Sequence, residues 1–149
     1  MEFAVELART GQSYALATVV WRKPPSSGQP GSKAVITTDG QLHGWIGGAC
    51  AEPVVIREAK RVLAAGGPAL IWLGQEGDFD GMHVPPGVVT IPMSCQSEGA
   101  LQLYIEPVLV APEVLIVGRS PMVTTLAELV RDVGWRGAVI DGPDFQTHM

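Results

Sequence analysis

Glycine and proline break every apolar run of this chain within about a strand length, so the fold must be assembled from short elements joined by shaped turns. The 18 glycines and 12 prolines cluster between the apolar stretches. Hydrophobic content of 46% against 17% charged marks a globular chain rather than a disordered one. The length of 149 residues supplies one good core, or one core with a small appendage. No apolar run reaches the roughly 20 residues that span a bilayer. The first residues, Met1 to Glu6, carry acids where a signal peptide needs bases, so a cytoplasmic location without membrane contact is expected. A net charge of -5 gives no electrostatic reason to expect nucleic acid. Arg57, Lys60 and Arg61 share helical spacing and read as a solvated face.

The patterning predicts a short helix over 2–10, a strand over 14–22 and a second strand over 33–38. Between the two strands, the stretch PPSSGQPG from Pro24 to Gly31 can only be a loop. Asp39-Gly40 signals a hairpin, returned by a third strand over 41–46. Val55, Ala59, Val62 and Leu63 predict a helix over 51–65, with Pro53 in its first turn and Gly66 at its stop. Further strands are expected at 69–73, 88–92 and 101–107, with an acidic, glycine-rich loop over 74–87.

The texture changes at Ala111-Pro112-Glu113. Val114 to Gly118, Met122 to Val133 and Ala138 to Asp141 read as strand, helix and strand, the start of a parallel βαβ unit. A doubly wound domain has about five or six strands, so residues 111–149 are a truncated Rossmann-like segment. The expected fold is therefore α/β: a mixed β-sheet domain with helices over 1–110, then that βαβ segment. An isolated pair of parallel strands exposes edges and an apolar face, which predicts a homodimer.

Several places could carry chemistry. Gly47-Gly48-Ala49-Cys50 joins a strand to a helix. Its glycines let amides approach an anion, and the helix end adds donors and a positive dipole. A thiol there should be acidified. The alternative is a plain tight turn with a small buried cysteine, and Glu52 competes for the same amides. Ser26, Ser27, Gly28, Gly31 and Lys33 form a second anion candidate, or a surface loop. Two cysteines make no disulfide framework, and in a reducing compartment Cys50 and Cys95 would stay free. His43 reads as structural, and Glu76, Asp78, Asp80 and His83 as a solvated acidic loop. Of the dinucleotide fingerprint G-x-G-x-x-G only Gly118 is present, with Ser120 and Val123 in the other glycine positions. Asp141 stands where a ribose-binding acid belongs.

Taken in order, ALATVV, PPSSGQPGSK, TTDGQLHGWIGGAC, AEPVVIREAKRVL, LQLYIEPV and VLIVG resemble the XdhC/CoxI family, accessory proteins of xanthine dehydrogenase and related molybdenum hydroxylases. The AEPVV and Gly118-Arg119-Ser120-Pro121 segments look closer to the CoxI-like branch. The resemblance implies a chaperone, not an enzyme. It would bind the molybdenum cofactor, as molybdopterin or its cytosine dinucleotide form, and assist its sulfuration with a cysteine desulfurase. Delivery to an apo-molybdenum hydroxylase would follow. It implies cofactor-binding roles for Ser26, Ser27, Gly31, Lys33, Gly47, Gly48 and Cys50, with a molybdenum contact at Cys50. Two other readings stay open: an NAD(P)- or nucleotide-binding oxidoreductase using Gly118 and Asp141, and a ligand-free regulatory interaction module.

Overall fold

The computed structural model describes residues 2–75, 77–93 and 99–140. Contacts divide the chain into two compact units between Leu109 and Val110.

The first unit is built on a six-stranded mixed sheet. Its strands are β1 (Tyr14–Lys23), β2 (Lys33–Thr37), β3 (Leu42–Gly44), β4 (Ala69–Gly74), β5 (Val89–Pro92) and β6 (Ala100–Val108), in the order β3-β2-β1-β6-β4-β5. β4 and β5 run parallel, and the other neighbours are antiparallel. Helix α2 (Ala51–Ala65) packs on β6 and β1. Its residues Ala51, Val55, Ala59 and Val62 are spaced to fall on one face. They join Ala15, Ala17, Val19, Leu101, Leu103 and Ile105 in the main core. Gly66 closes the helix in a left-handed conformation, its N–H on the Val62 carbonyl, which is why α2 stops there. On the opposite face of the sheet, α1 (Glu2–Arg9) buries Ala4 and Leu7 against Tyr14 and Val35. The strand alternation therefore sends Tyr14 and Val35 to one helix and Ala15 and Ile36 to the other.

One expectation needs correction. The third strand was expected over 41–46 but pairs only over Leu42–Gly44. Gly44 adopts φ 120, and its Cα approaches β2 so closely that a Cβ would lie 2.4 Å from the Lys33 carbonyl oxygen. The chain then leaves the ladder, and Ile46 turns fully into the core. The basic group on α2 is an exposed face, as expected, and it also makes contacts. Lys60 donates to the Asp39 carbonyl at 3.1 Å, tying the helix to the β2–β3 hairpin. Arg57 and Arg61 flank the buried carboxylate of Glu58 at 3.2 and 3.4 Å.

In the second unit β7 (Glu113–Val117) pairs in parallel with β8 (Arg136–Ile140), joined by α3 (Pro121–Asp132). Parallel neighbours cannot be joined by a tight turn, and the helix supplies the crossover. Only Ile116 and Val130 are buried among its described residues. Met122, Leu126 and Leu129 on α3, with Leu115, Val117 and Val139 on the strands, remain exposed.

Candidate functional site

The long loop after β1 and the turn before α2, separate in sequence, meet in space. A Cβ on Gly28 would sit 2.5 Å from the Ile46 carbonyl oxygen. One on Gly47 would sit 3.5 Å from the Gly28 nitrogen. Two bare backbones are thus in contact, and side chains are excluded from between them. Gly99 completes the stack: its Cβ would fall 2.0 Å from the Lys23 carbonyl oxygen and 2.6 Å from that of Pro24. The Pro24-Pro25 bond in this loop is cis. Ser26 is buried, its carbonyl accepting from Arg22 at 3.1 Å, while Ser27 is exposed.

Cys50 occupies the N-cap of α2 and is partly exposed, as is Gly48. The residue is not sealed in the core. The helix end offers an anion less than the sequence suggested. The Ala51 N–H is spent on the Gly48 carbonyl at 3.0 Å, and Pro53 has no N–H. The expectation of free cysteines is corrected as well, because Cys50 is disulfide-bonded. Composition speaks to the compartment, whereas disulfide formation depends on sulfurs coming close, which spacing along the chain does not reveal. Cys95, Glu76 and Asp141 lie outside the described residues.

Gly31 and Lys33 are placed elsewhere. Lys33 shares the parity of Val35, and its ammonium donates to Thr18 at 2.8 Å on the α1 side of the sheet. With Gly31, His43, Gly44 and Phe3 it lines a hollow of about 380 Å³. His43, expected to be structural, makes a ring contact rather than serving in a metal group. It is exposed and stacks on Phe3 with ring centroids 3.9 Å apart. The predicted anion loop is therefore divided, with Ser26 and Gly28 against the cysteine turn and Gly31 and Lys33 on the other face.

In the second unit, Gly118, Arg119, Ser120, Val123, Thr124 and Val139 surround a hollow of about 440 Å³ at the carboxyl end of β7. This is where doubly wound sheets hold ligands. Val123, standing in the third glycine position, puts a methyl 3.1 Å from where a Gly118 Cβ would stand.

The acidic loop is not simply solvated. Asp78 accepts from Lys23 at 3.1 Å and from the Gln75 amide at 2.7 Å. The Gln75 amide first, then Lys23, hold its carboxyl below the usual aspartate range. Because the folded pKa is depressed, this latch stabilises above the unfolded value of about 3.9 and is lost as pH falls through the lower folded value. Asp78→Asn should lower stability by about 1 kcal/mol or less at pH 7. Melting curves of the two proteins should begin to converge below about pH 3.9 and meet once the pH is under the lower folded value. Beyond Asp78 the loop brings Phe79 onto Trp72, ring centroids 4.9 Å apart. No sequence signal pointed to Phe79, because an irregular loop has no periodicity to read. Among the described residues no group of three or more His, Cys, Asp or Glu could hold a metal, and no helix is long and apolar enough to cross a membrane.

A mixed sheet carrying a glycine-rich turn and a partly exposed cysteine at a helix start, followed by a βαβ unit, defines an α/β protein. Residues 7–74 match the model of the XdhC and CoxI family, to which this segment is similar. The solved structures include a Bacillus halodurans protein described as a xanthine dehydrogenase, similar at 15% identity with a TM-score of 0.53. The similarity covers 93% of this chain but 61% of that one, so the chain spans about three fifths of its length. At this identity the likeness establishes the α/β fold. No curated protein matches the chain.

Proposed function

We infer that this protein is an accessory factor for a xanthine dehydrogenase-type molybdenum enzyme, holding the molybdenum cofactor at the Gly28–Gly47–Cys50 junction. The observation that carries this is the contact of two side-chain-free backbones beside a partly exposed cysteine. Such a wall suits the close approach of a phosphate-bearing pterin. The partly exposed Gly48 would face the cofactor with the buried Gly47 behind it, the exposed Ser27 would border it beside the buried Ser26, and Cys50 would supply sulfur. The cofactor itself would bring the pterin dithiolene and the metal. Cys50 must be reduced before its thiolate can serve as a ligand. Gly31 and Lys33 act, in this reading, on the other face of the sheet.

Delivery to an apo-hydroxylase and sulfuration with a cysteine desulfurase extend the same reading, supported by the family match. The exposed apolar residues of α3 support a homodimer. A nucleotide-binding oxidoreductase ranks second: the hollow at Gly118 favours it, and the crowding by Val123 counts against it.

The test is copurification from a host that makes the cofactor, with reductant present throughout. Wild-type protein should retain a fluorescent pterin after oxidation, and Cys50→Ala should retain less than a tenth as much. Equal retention by the variant would remove Cys50 from the site.

A further inference from the structure

A second place on the first unit has the marks of a ligand slot. It lies on the sheet face opposite α2 and is independent of the cysteine turn. Trp72 and Gln102 are cross-strand neighbours there, alternating with Ile71, Leu73, Leu101 and Leu103 of the main core. A β-bulge at Val20 brings Trp21 opposite Gln102 on the same face. The row Trp21, Gln102, Trp72 thus crosses β1, β6 and β4.

Phe79 lies over this row, 4.9 Å from the Trp72 ring and 6.4 Å from that of Trp21. Trp72 is 3% exposed, yet among the described residues its indole N–H has no hydrogen-bond partner, and neither has the buried side-chain nitrogen of Gln102. Buried donors are almost always satisfied, so two orphans side by side call for an acceptor. Phe79 offers none. Its ring fills the space while leaving both donors unanswered. It is held there by the partly exposed Asp78–Lys23 pair, a latch that can open without disturbing the core.

We propose that Trp21, Trp72 and Gln102 form a binding slot for a planar heteroaromatic ring bearing carbonyl or ring-nitrogen acceptors, and that Phe79 occupies it when empty. The incoming ring stacks on the tryptophans as Phe79 does. Its acceptors take the indole N–H and the Gln102 amide. Displaced, Phe79 moves toward the neighbouring hollow of about 370 Å³ that it lines with Gly74, Thr90 and Pro92. Pterins and pyrimidine bases share this chemistry.

Titration of the full chain with free pterin and, separately, with cytidine monophosphate tests the slot through quenching of tryptophan fluorescence. Phe79→Ala should bind at least one of the two probes tenfold or more tighter than wild type, and the tighter one identifies the ring. Adding Trp72→Phe or Gln102→Leu to that variant should reverse most of the gain. Asp78→Asn, which loosens the latch without touching the core, should tighten binding at least threefold and serves if Phe79→Ala does not fold. Retention at the cysteine turn is read separately, by the copurification of Cys50→Ala, so failure of that site and failure of this slot are told apart. Neither probe binding a folded Phe79→Ala or Asp78→Asn protein, or gains indifferent to Trp72 and Gln102, would overturn the proposal.

Discussion

Gly99→Ala should destabilise the protein by about 3 kcal/mol or more, enough to lower its melting temperature by many degrees. The added methyl would stand 2.0 Å from the Lys23 carbonyl oxygen and 2.6 Å from that of Pro24. Both obstacles are backbone, so no rotamer change relieves them. Lys23 cannot retreat easily, because it ends β1, paired with Ala100 across the ladder. The chain must instead part between β1 and β6, the best-connected pair of the sheet. Gly31→Ala is the control. It has open space around it, and with φ 91 it should cost only about 1–2 kcal/mol of backbone strain. Thermal melts of the two variants measure the difference. A Gly99→Ala protein as stable as Gly31→Ala would show that the loop yields and that the clamp is loose.

How far such contacts could be read in advance depends on their range. Helix α2 was legible over 51–65, since its apolar spacing, Pro53 and Gly66 are all local signals. The strands were legible to within a residue or two wherever alternation or apolar runs continued to the strand end. β3 was not, because its end is set by Gly44 lying against Lys33, a contact across the ladder. The candidate site was half legible. Glycines and a cysteine before a helix are visible in the sequence, but their meeting with Gly28 depends on the topology that brings the two loops together. Lys33 shows the same limit from the other side. It is close in sequence to Ser26, yet one step of strand parity relative to Ala34 sends its ammonium to the α1 face. The aromatic row required still more, since the bulge at Val20 that re-aims Trp21 leaves no mark in the composition of β1.

Gly28→Ala joins stability to function, and both should fall. Its methyl would meet the Ile46 carbonyl oxygen at 2.5 Å and a Leu101 methyl at 2.9 Å. Leu101 can shift, as side chains do. The Ile46 carbonyl belongs to the backbone that leads directly into Gly47, and Ile46 itself is fully buried. Relief therefore comes by pushing the Gly47–Cys50 turn outward, at a cost of about 2–3 kcal/mol. Were the cofactor held only through the Cys50 sulfur, a displaced turn would still carry it. If the bare backbone wall is the binding surface, pterin retention should drop about tenfold or more in protein that remains folded. Retention and melting temperature measured on the same preparation separate the two cases. Full retention in a destabilised but folded Gly28→Ala protein would leave the wall a packing feature and the sulfur the only anchor.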